Sequence, residues 1–163
     1  MIDEARSREF GRALIGTYSG AVLTYLIGVG HETGLFEAAA RDPATSSELA
    51  ERTGLNERYV REWLGAMTTG GIFIYESESG LYELPPEHAL LLTGHTASNA
   101  APMSQILNHF GTLLPHLVEC FRDGGGIPYS EFRPQFTDRM DDVWRRIYDE
   151  KLLDGFIAPV PGL

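Results

Sequence analysis

Residues 45–86 read TSSELAERTGLNERYVREWLGAMTTGGIFIYESESGLYELPP, and this run decides the fold. Thr45 followed three residues later by Glu48 is a capping box, in which each residue satisfies a backbone N–H that the first helical turn leaves without a partner. It opens a helix over SSELAERT that Gly54 ends. Asn56 caps a second helix, ERYVREWLGAMTT, on which Val60, Leu64 and Met67 form one apolar stripe flanked by Tyr59 and Trp63. Gly70-Gly71 terminate it. The apolar period then falls from 3.6 to 2: IFIYE and LYELP flank the turn SESG, a hairpin in which Gly80 supplies the turn conformation. Helix, tight turn, helix and hairpin make a winged helix-turn-helix. Pro85-Pro86 close the wing, and Glu87 to Leu92 reads as a further short helix.

Working outward, Phe10, Leu14, Tyr18, Ala21, Val22, Tyr25, Leu26 and Val29 recur at three and four, which predicts an amphipathic helix from Ile2 to about Thr33, closed by Gly34. Leu35 to Ala40 is a short continuation stopped by Asp42-Pro43. On the other side, Ala97 to Asp123 reads as one long helix bent at Pro115. Gly124-Gly125-Gly126 break it, PYSEF reads as irregular, and Gln135 to Phe156 as a last helix. The fold class is therefore mainly α with a small β-hairpin. Its expected parts are N-terminal helices over 1–42, the winged unit over 43–94, and long helices with a linker over 95–163. The final PVPGL carries no polar tail, from which we expect a larger protein to continue beyond Leu163.

The chain has 163 residues, 43% hydrophobic, with 13 basic against 23 acidic side chains and a net charge of −10. This is the composition of a folded acidic protein. A single Cys120 permits no internal disulfide and points to a reducing, cytoplasmic compartment. Within 43–94 three arginines (Arg52, Arg58, Arg61) face eight glutamates, so the winged unit lacks the positive charge that DNA phosphates require, and DNA is not expected as a partner. Residues 13–30 are uncharged and contain Gly16-x-x-x-Gly20, the spacing of membrane helix dimers, but Thr17, Tyr18, Ser19, Thr24 and four glycines make this a packing helix, and no membrane partner is expected. The first helix and Ala97 to Asp123 carry more apolar surface than a winged unit can cover. That surplus predicts a homodimer, with Gly16, Gly20 and Gly28 allowing close helix approach.

Two local patterns suggest chemistry. AVLTYLI followed by Gly28-Val29-Gly30-x-x-x-Gly34 has the glycines of a phosphate-cradling turn, but it lacks the G-x-G-x-x-G spacing and no strands follow to build a parallel sheet, so a glycine-bearing helix end is the competing reading. His109, His116 and Cys120 fall near one side of a helix, yet seven residues at 1.5 Å rise place the two histidines about 10 Å apart, too far to share an ion. No metal is expected, and no catalytic set is declared by a local motif.

GHETGLFEAA, the quoted run GLNERYVREWLGAM, YELPPEHALLLT, CFRDGGGIPYSEF and the closing PVPGL together resemble the N-terminal region of bacterial class I S-adenosylmethionine-dependent methyltransferases, similar in layout to small-molecule O-methyltransferases, some of them labelled transcriptional regulators. The resemblance implies a helical dimerisation and substrate-lid lobe built round a winged helix, joined to a Rossmann-type domain that binds S-adenosylmethionine. It implies a small-molecule acceptor for the complete protein. The glycine-rich cofactor loop is not in these 163 residues, so no cofactor and no activity are expected of this chain alone. By the same resemblance Tyr129, Phe132 and Met140 are expected to approach the cofactor and Phe136 the acceptor; as bare residues, these side chains serve equally as apolar anchors of the last helix. The alternative function is a winged-helix regulator that binds DNA or an effector.

Overall fold

The computed structural model describes residues 2–159; of PVPGL, only Pro159 falls inside that range. Eight α-helices and one hairpin follow in order: α1 (Glu4–Glu32), α2 (Leu35–Ala39), α3 (Ser46–Thr53), α4 (Glu57–Thr69), β1 (Ile74–Glu76), β2 (Leu81–Glu83), α5 (Pro86–Leu92), α6 (Met103–Thr112), α7 (Leu114–Asp123) and α8 (Gln135–Lys151). The winged unit forms as its sequence predicts. Thr45 accepts from the Glu48 backbone N–H while Glu48 reaches back to the Thr45 N–H at 2.8 Å. That backbone hydrogen bond, with a second from the Thr45 hydroxyl, holds the Glu48 carboxyl below its ordinary value of 4.5. A depressed carboxylate stabilises the fold above that ordinary value, and the contribution is lost as pH falls through the lowered one. Gly54 and Gly80 adopt φ of 69° and 71°, as the helix stop and the hairpin turn require. β1 and β2 pair antiparallel with Tyr75 opposite Tyr82, and Ala44 bridges to Tyr82 to attach the wing to the loop before α3.

The core lies where α1, α2 and α4 meet. Phe36, Trp63 and Phe73 form an aromatic cluster, Trp63 edge-on to Phe36 at 5.2 Å and to Phe73 at 5.5 Å between ring centroids. Leu49, Val60, Leu64 and Met67 close around it, all buried. The Trp63 indole N–H donates to the backbone carbonyl of Leu26 at 2.8 Å, so the second helix of the winged unit grips α1 directly. Gly30 is what admits it: a Cβ there would lie 2.5 Å from Trp63 Cζ2 and 2.7 Å from Phe36 Cε2.

The first half of α1 projects away from this core. Phe10, Ile15, Tyr18 and Val22 are each more than half exposed, and a Cβ at Gly11, Gly16 or Gly20 would meet nothing within 4 Å. By length and composition α1 is apolar enough to cross a membrane, but Leu23, Leu26 and Ile27 in its second half pack on the core. Gly28, expected with Gly16 and Gly20 at a dimer contact, instead packs inside the protomer: its missing side chain makes room for Asn108, Gln105 and Ser104 of α6, and Gln105 Nε2 donates to its carbonyl at 2.8 Å.

Three expectations for the C-terminal third are corrected. Residues 97–102 are turn and loop, and the expected long helix is two helices that meet at Leu113. Pro102 starts the first, and Pro115 sits in the first turn of the second, where its lack of an N–H costs nothing; inside one continuous helix its ring would clash with the preceding turn. PYSEF is not irregular throughout, since Tyr129–Phe132 forms a 3₁₀ turn. The last helix is α-helical only to Lys151 and continues as a wider π turn over Leu152–Ile157. The phosphate-turn reading of Gly28 and Gly30 also fails, because both are buried within α1 and not at a strand-to-helix turn.

Gly30→Ala is therefore expected to destabilise the protein by about 1–3 kcal/mol through overpacking against two aromatic rings, measured by urea denaturation; wild-type stability in that variant would show that α1 does not depend on the close approach.

Candidate functional site

α8 carries two different faces, and each borders a concavity. On one face the side chains four residues apart, Phe136, Met140, Trp144 and Tyr148, form a stripe. With Tyr129 from the 3₁₀ turn they line an open groove of about 360 Å³. Trp144 and Tyr148 stack with centroids 6.1 Å apart, and Tyr129 stacks on Phe132 at 6.2 Å. Thr137 and Asp141 supply the polar rim, with Asp141 already paired to Arg145 one turn on.

Three of the four side chains singled out in the sequence, Tyr129, Phe136 and Met140, share this groove. Phe132 stands behind it, edge-on to Phe136 at 5.4 Å and 6.3 Å from the His109 ring. Trp144, Tyr148 and Asp141 join them; the spacing of four along α8 from Phe136 is the signal that points to the two aromatics, and Asp141 carries none. The 3₁₀ turn that carries Tyr129 follows the triple glycine, where Gly124 and Gly125 have φ of 79° and 85°. His116 of α7 tethers it by donating from Nδ1 to Glu131 at 2.8 Å.

The opposite face of α8 points toward α1 and α6. Arg146 is buried there, donating to the Gly94 carbonyl at 2.9 Å and to Asp142 at 3.1 Å, while Asn99 donates to the same Gly94 carbonyl. These bonds fasten α8 to the segment that follows the winged unit. Nearer its start, α8 helps enclose a cleft of about 470 Å³ with α1 and α6, across which Glu32 and Arg139 pair. His109 lines the cleft with its ring beside those of Phe132 and Phe136, and its Nε2 is buried without a partner among the described residues. No group of three or more His, Cys, Asp or Glu side chains able to hold a metal ion occurs among the described residues.

The profile of the Rv2258c-like winged HTH domain matches residues 21–94. This domain begins inside α1, just before the Leu23–Ile27 turn that packs on the aromatic cluster. Beyond it, the chain is 29% identical over 122 residues to the O-methyltransferase SfmM3 of Streptomyces lavendulae, a match covering 73% of this chain and 36% of that protein. Its fold is that of the mitomycin 7-O-methyltransferase MmcR, with a TM-score of 0.70 and 21% identity over 90% of this chain and 46% of that one. Human N-acetylserotonin methyltransferase, solved in complex with SAM, gives a TM-score of 0.65 and 15% identity over the same shares of 90% and 46%. The chain thus spans about a third of the curated relative and under half of these structures, matching their N-terminal part.

The groove is open enough to be read optically, because the chain has two tryptophans, Trp63 only 4% exposed and Trp144 42% exposed. Replacing Trp144 with Phe is expected to leave blue-shifted emission that acrylamide quenches poorly, while the wild-type difference spectrum is red and quenchable; equal quenching of both proteins would mean that the groove wall is closed in solution.

Proposed function

We propose that this chain supplies the dimerisation and substrate-lid lobe of an S-adenosylmethionine-dependent O-methyltransferase acting on a small molecule. One observation carries the reading: about 90% of the chain shares its fold with the N-terminal part of O-methyltransferases, and this same fold leaves an apolar helix half bare. In this reading the exposed stripe of α1, with Phe10, Ile15, Tyr18 and Val22, meets a second copy, which makes the protein a homodimer. Desolvating such a stripe stabilises association at about 25 cal/mol per Å² of apolar area, less the cost of immobilisation. A membrane would compete for the same residues, but Leu23 to Ile27 would have to leave the core to enter it. This reading takes the protein to be cytoplasmic, in keeping with its single thiol.

The winged unit serves packing here and not DNA recognition. On α4 Arg61 lies 3.8 Å from Glu57, which also accepts from Ser46, and the wing presents Glu76, Glu78 and Glu83. Phosphates would meet net negative charge on both elements. Tyr129, Phe132 and Met140 are assigned to the cofactor side of the groove and Phe136 to the acceptor. The 3₁₀ turn after the triple glycine works as a lid, since glycines without side chains let it swing while its rings exclude water. S-adenosylmethionine belongs, in this reading, to the cofactor domain that such a lobe adjoins, and this chain alone is expected to bind none.

Sedimentation at tens of micromolar is expected to give a dimer, and Ile15→Glu or Val22→Glu a monomer with the helical content of the wild type; a monomeric wild type would remove the dimer. Where the lobe is joined to its cofactor domain, Tyr129→Ala and Met140→Ala are expected to lower kcat/KM about tenfold, equivalent to about 1.4 kcal/mol, with little change in melting temperature, while calorimetry of the 163-residue chain shows no S-adenosylmethionine binding. Micromolar binding by the chain alone would break this division of labour, and unchanged kinetics would return both side chains to a packing role.

A further inference from the structure

The cleft between α1, α6 and α8 lies across α8 from the aromatic groove, and the methyltransferase reading makes no use of it. Its volume of about 470 Å³ suits a ligand of one or two rings. Charge is the first constraint. Glu32 and Arg139 neutralise one another across the cleft, and no other Lys, Arg, Asp or Glu lines it, so an ion entering it finds no uncompensated counter-charge. Hydrogen-bonding capacity is the second. The carboxamides of Asn108 and Gln135 border the cleft and have no side-chain hydrogen bond to the described residues, each offering both donors and acceptors. Thr33 and Thr112 add hydroxyls at its border, and His109 lines it as well. The third constraint is shape: the exposed ring of Tyr25 gives one side of the cleft a flat apolar face.

We propose that this cleft binds a neutral, polyhydroxylated ring, such as the sugar of a glycoside. A hydroxyl donates and accepts at once, which matches carboxamides and an opposed guanidinium–carboxylate pair group for group, while the C–H face of the ring lies on Tyr25. A carboxylate or phosphate ligand would have to break the Glu32–Arg139 pair and leave Glu32 uncompensated. A wholly apolar ligand would strip water from Asn108 and Gln135 and return no hydrogen bond, a net cost. Tyr25 lies three residues beyond Val22, the last residue assigned above to the dimer stripe.

Saturation-transfer NMR on the 163-residue protein tests this with methyl β-D-glucopyranoside as the probe, against glucuronate and cyclohexanol. Saturable transfer to the glycoside is expected at millimolar concentration, weaker by about fivefold or more in Gln135→Leu and in Asn108→Leu; Tyr59→Ala on α4, far from the cleft, keeps the wild-type signal. Gln135 is exposed, so its replacement leaves the fold intact even if Asn108→Leu does not. No transfer to the glycoside, equal transfer to glucuronate or cyclohexanol, or an unchanged signal in Gln135→Leu would each overturn the proposal. None of these outcomes touches the methyltransferase reading, which stands or falls on dimer mass and turnover.

Discussion

The hydrogen bond from the Trp63 indole to the Leu26 carbonyl, made possible by the absence of a side chain at Gly30, is the contact on which the arrangement of this protein depends. A winged helix-turn-helix of this size has a core of its own, but α4 would have no reason to hold a 29-residue helix at a fixed angle. Trp63 gives it one. The indole fills the space beside Phe36 and Phe73, and its N–H, which must find a partner when buried, finds it on α1. Gly70 repeats the device at the far end of α4, where a Cβ would lie 2.5 Å from Leu23.

Once α1 is fixed, the rest follows from it. Gly28 receives α6 as Gly30 receives Trp63, and α6 carries α8 on its other side. Glu32 and His31 at the end of α1 meet Arg139 and Asp142 of α8 directly, the second at 3.8 Å. The aromatic groove and the polar cleft are then two sides of one helix whose position is set by a short chain of glycine-mediated contacts. The same geometry explains the bare half of α1. Its apolar residues lie beyond the last element of the protomer able to reach them, so their burial is left to something outside it.

The helix-turn-helix frame carries a charge pattern that suits packing more than nucleic acid. Arg58 and Arg61 alternate with Glu57 and Glu62 along α4, and a wing bearing glutamates stands beside it. A winged fold specifies how three helices and a hairpin pack; whether it meets DNA is decided by the charge on its outer face. Similarity to O-methyltransferases is in keeping with that division, since those proteins carry the fold as part of a longer chain.

Local rules in the sequence determined the winged unit almost to the residue. Thr45, Glu48, Gly54, Asn56 and Gly80 act on neighbours within a few positions, and such effects are written in the order of the chain. Composition likewise determined the charge, the single thiol and the surplus of apolar surface. What tertiary structure decided were matters of distance in space. The spacing of Phe10 to Val29 reads as one amphipathic face, yet of its last members only Leu26 packs on the core while Tyr25 and Val29 stay exposed, because the packing partners reach the side of α1 that carries Leu23, Ile27 and Gly30. Gly28 reads as one more small residue in a helix, and only the arrival of Asn108 and Gln105, some eighty positions away, assigns it to α6. Tyr129 and Met140 were singled out through resemblance and Trp144 and Tyr148 follow from the spacing of four along α8, but the cleft around His109 was not legible, because a groove is made by the distance between helices and the sequence records only the distance along one.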